Sequence, residues 1–338
     1  MAAKFIKKTG LLFLILCTFA ACREKLVQVK VHDLTPALDS LTRKGPVQAA
    51  DYQRLKQQFG PFFDFYLQEV LGLWTPSDSF TAARIGIFAR QNQLPFRMLE
   101  ASRPLFEKQE QQFGQVFAHW KEELPGDSLP ILYRYYSQLS NYFTFAVDLG
   151  KGQYGVGYSA EMFLGDTFAG YKALELPRWY SRFCQPDMAA AMVAMASLHY
   201  LYDTFNPKEN MLGEMIYYGK LLYATTRLAT YLKPWQGAAM KENEWTWLQR
   251  EEASMWKHYL DAQVLFSSNR NDYQRYFVEG DRTTGSGIPN DCPPMIGRWT
   301  GLRIVEAWMD RKGNPPLKTM LSHGDPQAFL NESGYKPK

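Results

Sequence analysis

The apolar positions of the chain change pattern three times. Leu11 to Ala21 is a continuous apolar stretch broken only by Thr18, preceded by Lys4, Lys7 and Lys8 and followed by Cys22. A basic start, a short apolar run and small residues at its end mark a secretory signal. The run falls short of the roughly 20 residues that a bilayer span needs, so residues 1–21 are expected to be a leader that is removed. Residues 22–28 then read as a charged tether, and Val27-Gln28-Val29-Lys30-Val31 alternates as a strand does.

Helical spacing follows. Ala49 to Leu73 predicts a helix interrupted at Gly60-Pro61, with further helices over 78–90 and 103–124. In the last of these, Phe106, Phe113, Val116, Phe117 and Trp120 recur on one face, and Pro104 suits a first turn. The middle of the chain is aromatic and β-branched: Ile131 to Ser137, Tyr142 to Val147 and Tyr154 to Tyr158, cut by Gly150 and Gly152, predict a small sheet. Helices return over 177–184, 187–205, 210–231, 241–266 and 294–311, and two short ones close the chain. Gly280 to Pro289 is the longest clear loop. Neither a repeat nor a linker interrupts this order, which predicts one globular domain over 29–338, α+β in class, predominantly helical with a small central sheet.

Charge and cysteines narrow the function. Loss of residues 1–21 takes three lysines and no acid, lowering the formal charge from +4 to +1. A near-neutral chain with mixed-sign charge lacks the electrostatic footprint of a nucleic-acid binder. Of four cysteines, Cys17 lies in the leader and Cys22 at its end. Export allows Cys184 and Cys292 to pair without requiring it. No C-x-x-C, G-x-G-x-x-G, Walker or G-x-S-x-G pattern is present, so no cofactor is expected.

Two resemblances go further. Phe19-Ala20-Ala21-Cys22 resembles a bacterial lipobox, in which diacylglycerol is attached to the cysteine before cleavage ahead of it. Leu is commoner than Phe three residues before the cysteine. Cys22 is therefore the expected lipidation site, holding the protein to a membrane through its acyl chains. Three later segments resemble the gliding-motility lipoprotein family GldB of Bacteroidetes: Val156-Gly157-Tyr158-Ser159-Ala160-Glu161-Met162-Phe163-Leu164-Gly165, Met211-Leu212-Gly213-Glu214-Met215-Ile216-Tyr217-Tyr218-Gly219-Lys220, and Pro294-Met295-Ile296-Gly297-Arg298-Trp299-Thr300-Gly301. Ser333-Gly334-Tyr335-Lys336-Pro337 closes the likeness, while Val31-His32-Asp33 matches only loosely. The resemblance implies an outer-membrane lipoprotein facing the periplasm, with envelope protein partners in gliding or its associated secretion.

That family is distantly similar to zinc peptidases with H-E-x-x-H, which implies a zincin-like scaffold. The motif needs two histidines a helical turn apart and a glutamate as base. Its best window here is Met195-Ala196-Ser197-Leu198-His199, where Met195 and Ala196 hold the first ligand and base positions. Tyr218 stands where a downstream glutamate is expected. One ligand of three holds no zinc, so no catalytic residue and no metal site are expected. His199, Glu214 and Tyr218 are vestigial-site candidates, and a Glu214 turned toward a His199 near the core face of its helix is one arrangement they allow. Gly297 and Gly301, with Arg298 and Trp299, suit close helix packing. Two other readings stay open. One is an active zinc metallopeptidase with unrecognised ligands. The other is a surface glycan binder that stacks sugars on Tyr133, Tyr135, Tyr136, Tyr142, Phe143 and Phe145, with Arg134 among them suiting an exposed sheet face, although such a run is more often the packed face of a sheet against helices.

Overall fold

The computed structural model describes residues 26–43, 45–140, 144–203 and 210–338. The leader, Cys22, and Tyr142 and Phe143 of the aromatic tract lie outside them.

A four-stranded sheet divides the molecule. Its strands are β1 (Val31–Asp33), β2 (Ile131–Tyr135), β3 (Phe145–Gly150) and β4 (Gln153–Ser159), in the order β1-β2-β4-β3. β1 and β4 run parallel to β2, and β3 returns antiparallel to β4. The strand expected over 27–31 is shifted along the chain. Val27, assigned above to the tether, instead donates its N–H to the carbonyl of Gly114 at 3.2 Å, and pairing starts only at Val31.

Side-chain alternation sends β2 and β4 into two cores. Tyr133 and Tyr135 point to an N-terminal helical layer: α1 (Thr35–Leu41), α2 (Ala49–Phe59), α3 (Pro61–Phe65), α4 (Asp78–Gln91) and α5 (Gln93–Ala101). Leu132, Tyr154, Val156 and Tyr158 point to the larger C-terminal layer. Gly157 explains why the first layer sits flush on the sheet. A Cβ there would lie 2.5 Å from Phe62 Cζ, and Phe62 stacks on Tyr133 with 3.9 Å between ring centroids.

These contacts overturn the exposed-face reading of the tyrosine tract. Tyr133, Tyr135 and Tyr136 are buried under the first layer, and Arg134 is buried as well. Two guanidinium nitrogens donate to Asp33 Oδ2 at 3.0 and 2.8 Å and a third to Glu110 at 3.1 Å, while the group lies over the Phe106 ring. A strand charge among aromatics thus faces inward because partners meet it there.

The C-terminal layer is built from α6 (Arg103–Glu123), α7 (Ala169–Ala173), α8 (Met188–Leu201), α9 (Met211–Leu228), α10 (Pro234–Gly237), α11 (Glu242–Arg250), α12 (Glu252–Asp261), α13 (Arg270–Tyr273), α14 (Ile296–Arg311), α15 (Leu317–Leu321) and α16 (Pro326–Ser333). The fold is the predominantly helical α+β domain that the sequence predicts. Boundaries differ in places. The helix expected over 241–266 breaks at Glu251 and stops before Gln263, which adopts a left-handed backbone. The stretch 177–184 holds only a 3₁₀ turn, Arg178–Arg182.

The centre of this layer is the crossing of α9 and α14. A Cβ on Gly219 would meet the backbone of Gly301 and Leu302, the latter at 2.8 Å. One on Gly301 would lie 2.5 Å from the Met215 carbonyl carbon, with its oxygen nearer still. The two backbones touch because both positions lack a side chain, Gly219 on α9 and Gly301 on α14. Gly297 sits similarly under the Phe277 ring, 2.9 Å from a built Cβ, and Trp299 is buried edge-on to Trp245.

Candidate functional site

On α8, Met188, Met192, Met195 and His199 fall at intervals of four, three and four residues, which is one helical face. The helix forms readily because alanine occupies much of the remainder. That face borders a cleft of about 390 Å³. Tyr217, Tyr218, Leu221 and Leu222 of α9 form the opposite wall. Arg298 of α14 and Glu279 close one end.

The fold therefore brings together residues that the sequence singled out separately. Met195, Ala196, His199 and Tyr218 all line this one cleft. His199 is not on the core face, however: its side chain is 54% exposed, at the cleft rim. A hydrogen bond joins its Nδ1 to Tyr217 Oη, and Asp203 lies 3.9 Å away. Burial pushes the Tyr217 phenol well above its usual range, so it meets the imidazole as a neutral hydroxyl.

Glu214 belongs elsewhere. It is buried and pairs with Arg270 at 3.1 Å, the guanidinium closing over it from α13. The possible His199–Glu214 pair is thus replaced by two separate pairs. Among the described residues, no three histidine, cysteine or carboxylate side chains converge as a metal would require.

Arg298, read from sequence as a packing residue, has a second aspect. Its guanidinium stacks over the Tyr218 ring at 4.6 Å and reaches Glu279 Oε1 at 3.4 Å. Its Nε is buried with no hydrogen-bond partner. The cleft thus offers a wall of thioethers and leucines with a cation and a carboxylate at one end. Thioethers are flexible and polarisable, so such a wall adapts to apolar groups of varied shape. The four-three-four spacing on α8 was the signal for this surface. Glu279 had none, because it reaches the cleft from a loop.

Glu161, from the first motif, is a buried group that sequence reading passed over. One carboxylate oxygen accepts from Ser137 N (2.7 Å), Ser137 Oγ (2.7 Å) and Leu139 N (3.0 Å). These bonds hold a turn in which Gln138 and Leu139 both adopt positive φ. Burial raises its pKa, and those hydrogen bonds offset part of the rise. Cys184 and Cys292 are both free and buried, and burial pushes each thiol up to about 12. Neither is poised as a nucleophile.

A family model described as gliding motility protein GldB matches residues 21–337, from the residue before Cys22 to the penultimate position. The chain belongs to the GldB family. Its three motifs now have positions in this GldB-family fold: one is the β4 edge with Glu161, one is α9, and one is the start of α14. Membership gives the chain a role in gliding motility and a lipid-anchored place in the cell envelope. Among the described residues, no helix is long and apolar enough to cross a membrane. No curated protein and no solved structure matches the chain.

Proposed function

We propose that this GldB-family lipoprotein is a non-catalytic scaffold, acylated at Cys22, whose methionine-lined cleft holds an apolar segment of an envelope protein partner. The observation that carries the reading is that Met188, Met192, Met195, Ala196, Tyr218, Leu221 and Leu222 line one cleft, a surface of thioethers and leucines that suits apolar groups of a partner. The tyrosine tract is a weaker basis for glycan stacking, since its described members 133, 135 and 136 are buried. An outer-membrane position facing the periplasm is part of the same proposal.

The test is a photo-crosslinker at Met195 in the intact lipoprotein, in membranes of gliding cells. One adduct should form, and Ala196→Trp, which fills the cleft from its partly exposed wall, should remove it without lowering the melting temperature. Zinc assay and peptidase assay run beside it. Stoichiometric zinc and hydrolysis, both lost in His199→Ala at unchanged stability, would overturn the scaffold reading in favour of an active metallopeptidase.

A further inference from the structure

Five of the eleven exposed large hydrophobic side chains among the described residues lie between 74 and 98: Trp74, Phe80, Ile87, Leu94 and Met98. They are not scattered. Hydrogen bonding continues from α4 into α5 through Asn92, whose N–H donates to Phe88 O and whose carbonyl accepts from Phe96. The buried positions keep step across this junction, at 82, 85, 89, 92, 96 and 99. The exposed positions Phe80, Ile87, Leu94 and Met98 follow the same register on the outer side. The result is one apolar stripe, about 27 Å long from Phe80 to Met98 at the rise of a helix. Trp74 borders it, because Arg84 of the stripe donates to the Gly72 carbonyl at 2.8 Å.

The charge beside the stripe is mainly positive. From residue 78 to 103 there are four arginines (84, 90, 97 and 103) against two acids, Asp78 and Glu100, a net charge of +2, and Arg103 pairs with Glu100 at 3.4 Å. Arg84, Arg90, Arg97 and Arg103 are all exposed. A long apolar stripe flanked by arginines is the composition of a helix lying in a lipid interface.

The chain entry brings a membrane to this side. Val27 is bonded to Gly114, midway along α6, whose first turn follows α5 directly. Only residues 23–25 separate Cys22 from Leu26, so the chain's reach between those two residues is at most about 14 Å. From Gly114 to Arg103 along α6 is about 17 Å, a comparable distance.

We propose that the outer face of α4–α5 lies on the bilayer, its side chains in the acyl–headgroup boundary and its arginines on anionic phospholipid headgroups. This second contact fixes how the lipid-anchored body is oriented, leaving the cleft on another element for a protein partner. It rests on acylation of Cys22 and is independent of what the cleft binds.

The test uses the full acylated lipoprotein, its acylation scored separately by intact mass. Leu94→Cys, Met98→Cys and, as control, Leu260→Cys on α12 are labelled with an environment-sensitive fluorophore. Cys184 and Cys292 are buried and take no label. In vesicles of phosphatidylethanolamine and phosphatidylglycerol, a lipid-borne nitroxide should quench the Leu94 and Met98 labels roughly threefold more than the Leu260 label, since interfacial burial brings a helix face within its reach. Arg90→Glu with Arg97→Glu should erase that difference. Equal quenching at all sites would overturn the proposal. So would labels shielded from aqueous iodide in native membranes yet untouched by lipid nitroxide, because a protein would then cover the face. Acylated protein that shows no contrast refutes the orientation alone; protein without acyl mass refutes the anchor.

Discussion

Replacing Gly301 with alanine adds one methyl at the point where α9 and α14 touch, and its effect has two opposed parts. In a helix interior, alanine is favoured over glycine by about 0.5–1 kcal/mol. Against that, the added Cβ would sit 2.5 Å from the Met215 carbonyl carbon and nearer to its oxygen. Carbon atoms in contact prefer roughly 3.5–4 Å, so the helices must part by about 1 Å. Because the obstacle is backbone, no rotamer change relieves it. Overpacking a filled core costs about 1–3 kcal/mol, and a backbone–backbone clash belongs at the upper end. The net loss is about 2 kcal/mol, which lowers the melting temperature of a domain this large by about 3 °C. Gly297→Ala should cost less, since the Phe277 ring that it meets can yield. Thermal melts of the two variants beside the wild type decide the matter. A Gly301→Ala melt at or above the wild-type temperature would refute the contact. Tyr218 of α9 and Arg298 of α14 also line the cleft, so the same variant should weaken crosslinking from Met195.

Three further outcomes are expected. Asp33→Ala leaves the buried Arg134 guanidinium without the carboxylate oxygen that accepts two of its hydrogen bonds and should cost about 3 kcal/mol, read from urea denaturation; a loss below about 1 kcal/mol would mean that Glu110 alone satisfies the charge. His258 has its pKa lowered below 6.5, first by burial and then by Arg275, with a smaller opposing pull from Asp261. The folded state thus binds fewer protons than the unfolded state, and stability present above pH 6.5 is lost as pH falls through the folded pKa; His258→Gln should flatten that acid-side slope of the melting temperature. Cys22→Ser should abolish acylation and leave an unprocessed precursor, and a variant with unchanged processing and membrane partition would defeat the lipidation site.

Local periodicity carried most of the fold. The Phe106 to Trp120 stripe and the aromatic middle segment announced α6 and the sheet because each pattern reflects burial against something nearby. What stayed hidden depended on distant partners. Arg134 reads as exposed until Asp33, about a hundred residues earlier, is placed beside it, and Glu214 reads as a mate for His199 until Arg270 is seen to cover it. α5 escaped notice because Pro95 argues against helix, although the loss of its N–H leaves only one carbonyl unpaired near a junction. At the cleft, Met195, Ala196, His199 and Tyr218, which motif comparison named, all lie along the lining. It missed Met188, Met192 and Glu279, which no motif contains.

The place of β1 in the sheet has a consequence for export. This strand begins nine residues after Cys22, yet among the described residues its partner is β2, which arrives about a hundred residues later, with β4 beyond it. A chain crossing a membrane from its N-terminus therefore delivers the whole first helical layer before the sheet that it must cover exists. Pairing across so long a separation forms slowly, and until it does, the faces that Phe62 and Tyr66 turn to Tyr133 and Tyr135 are uncovered. The first helical layer therefore carries a bare apolar face until the chain has been made as far as residue 159, where β4 ends.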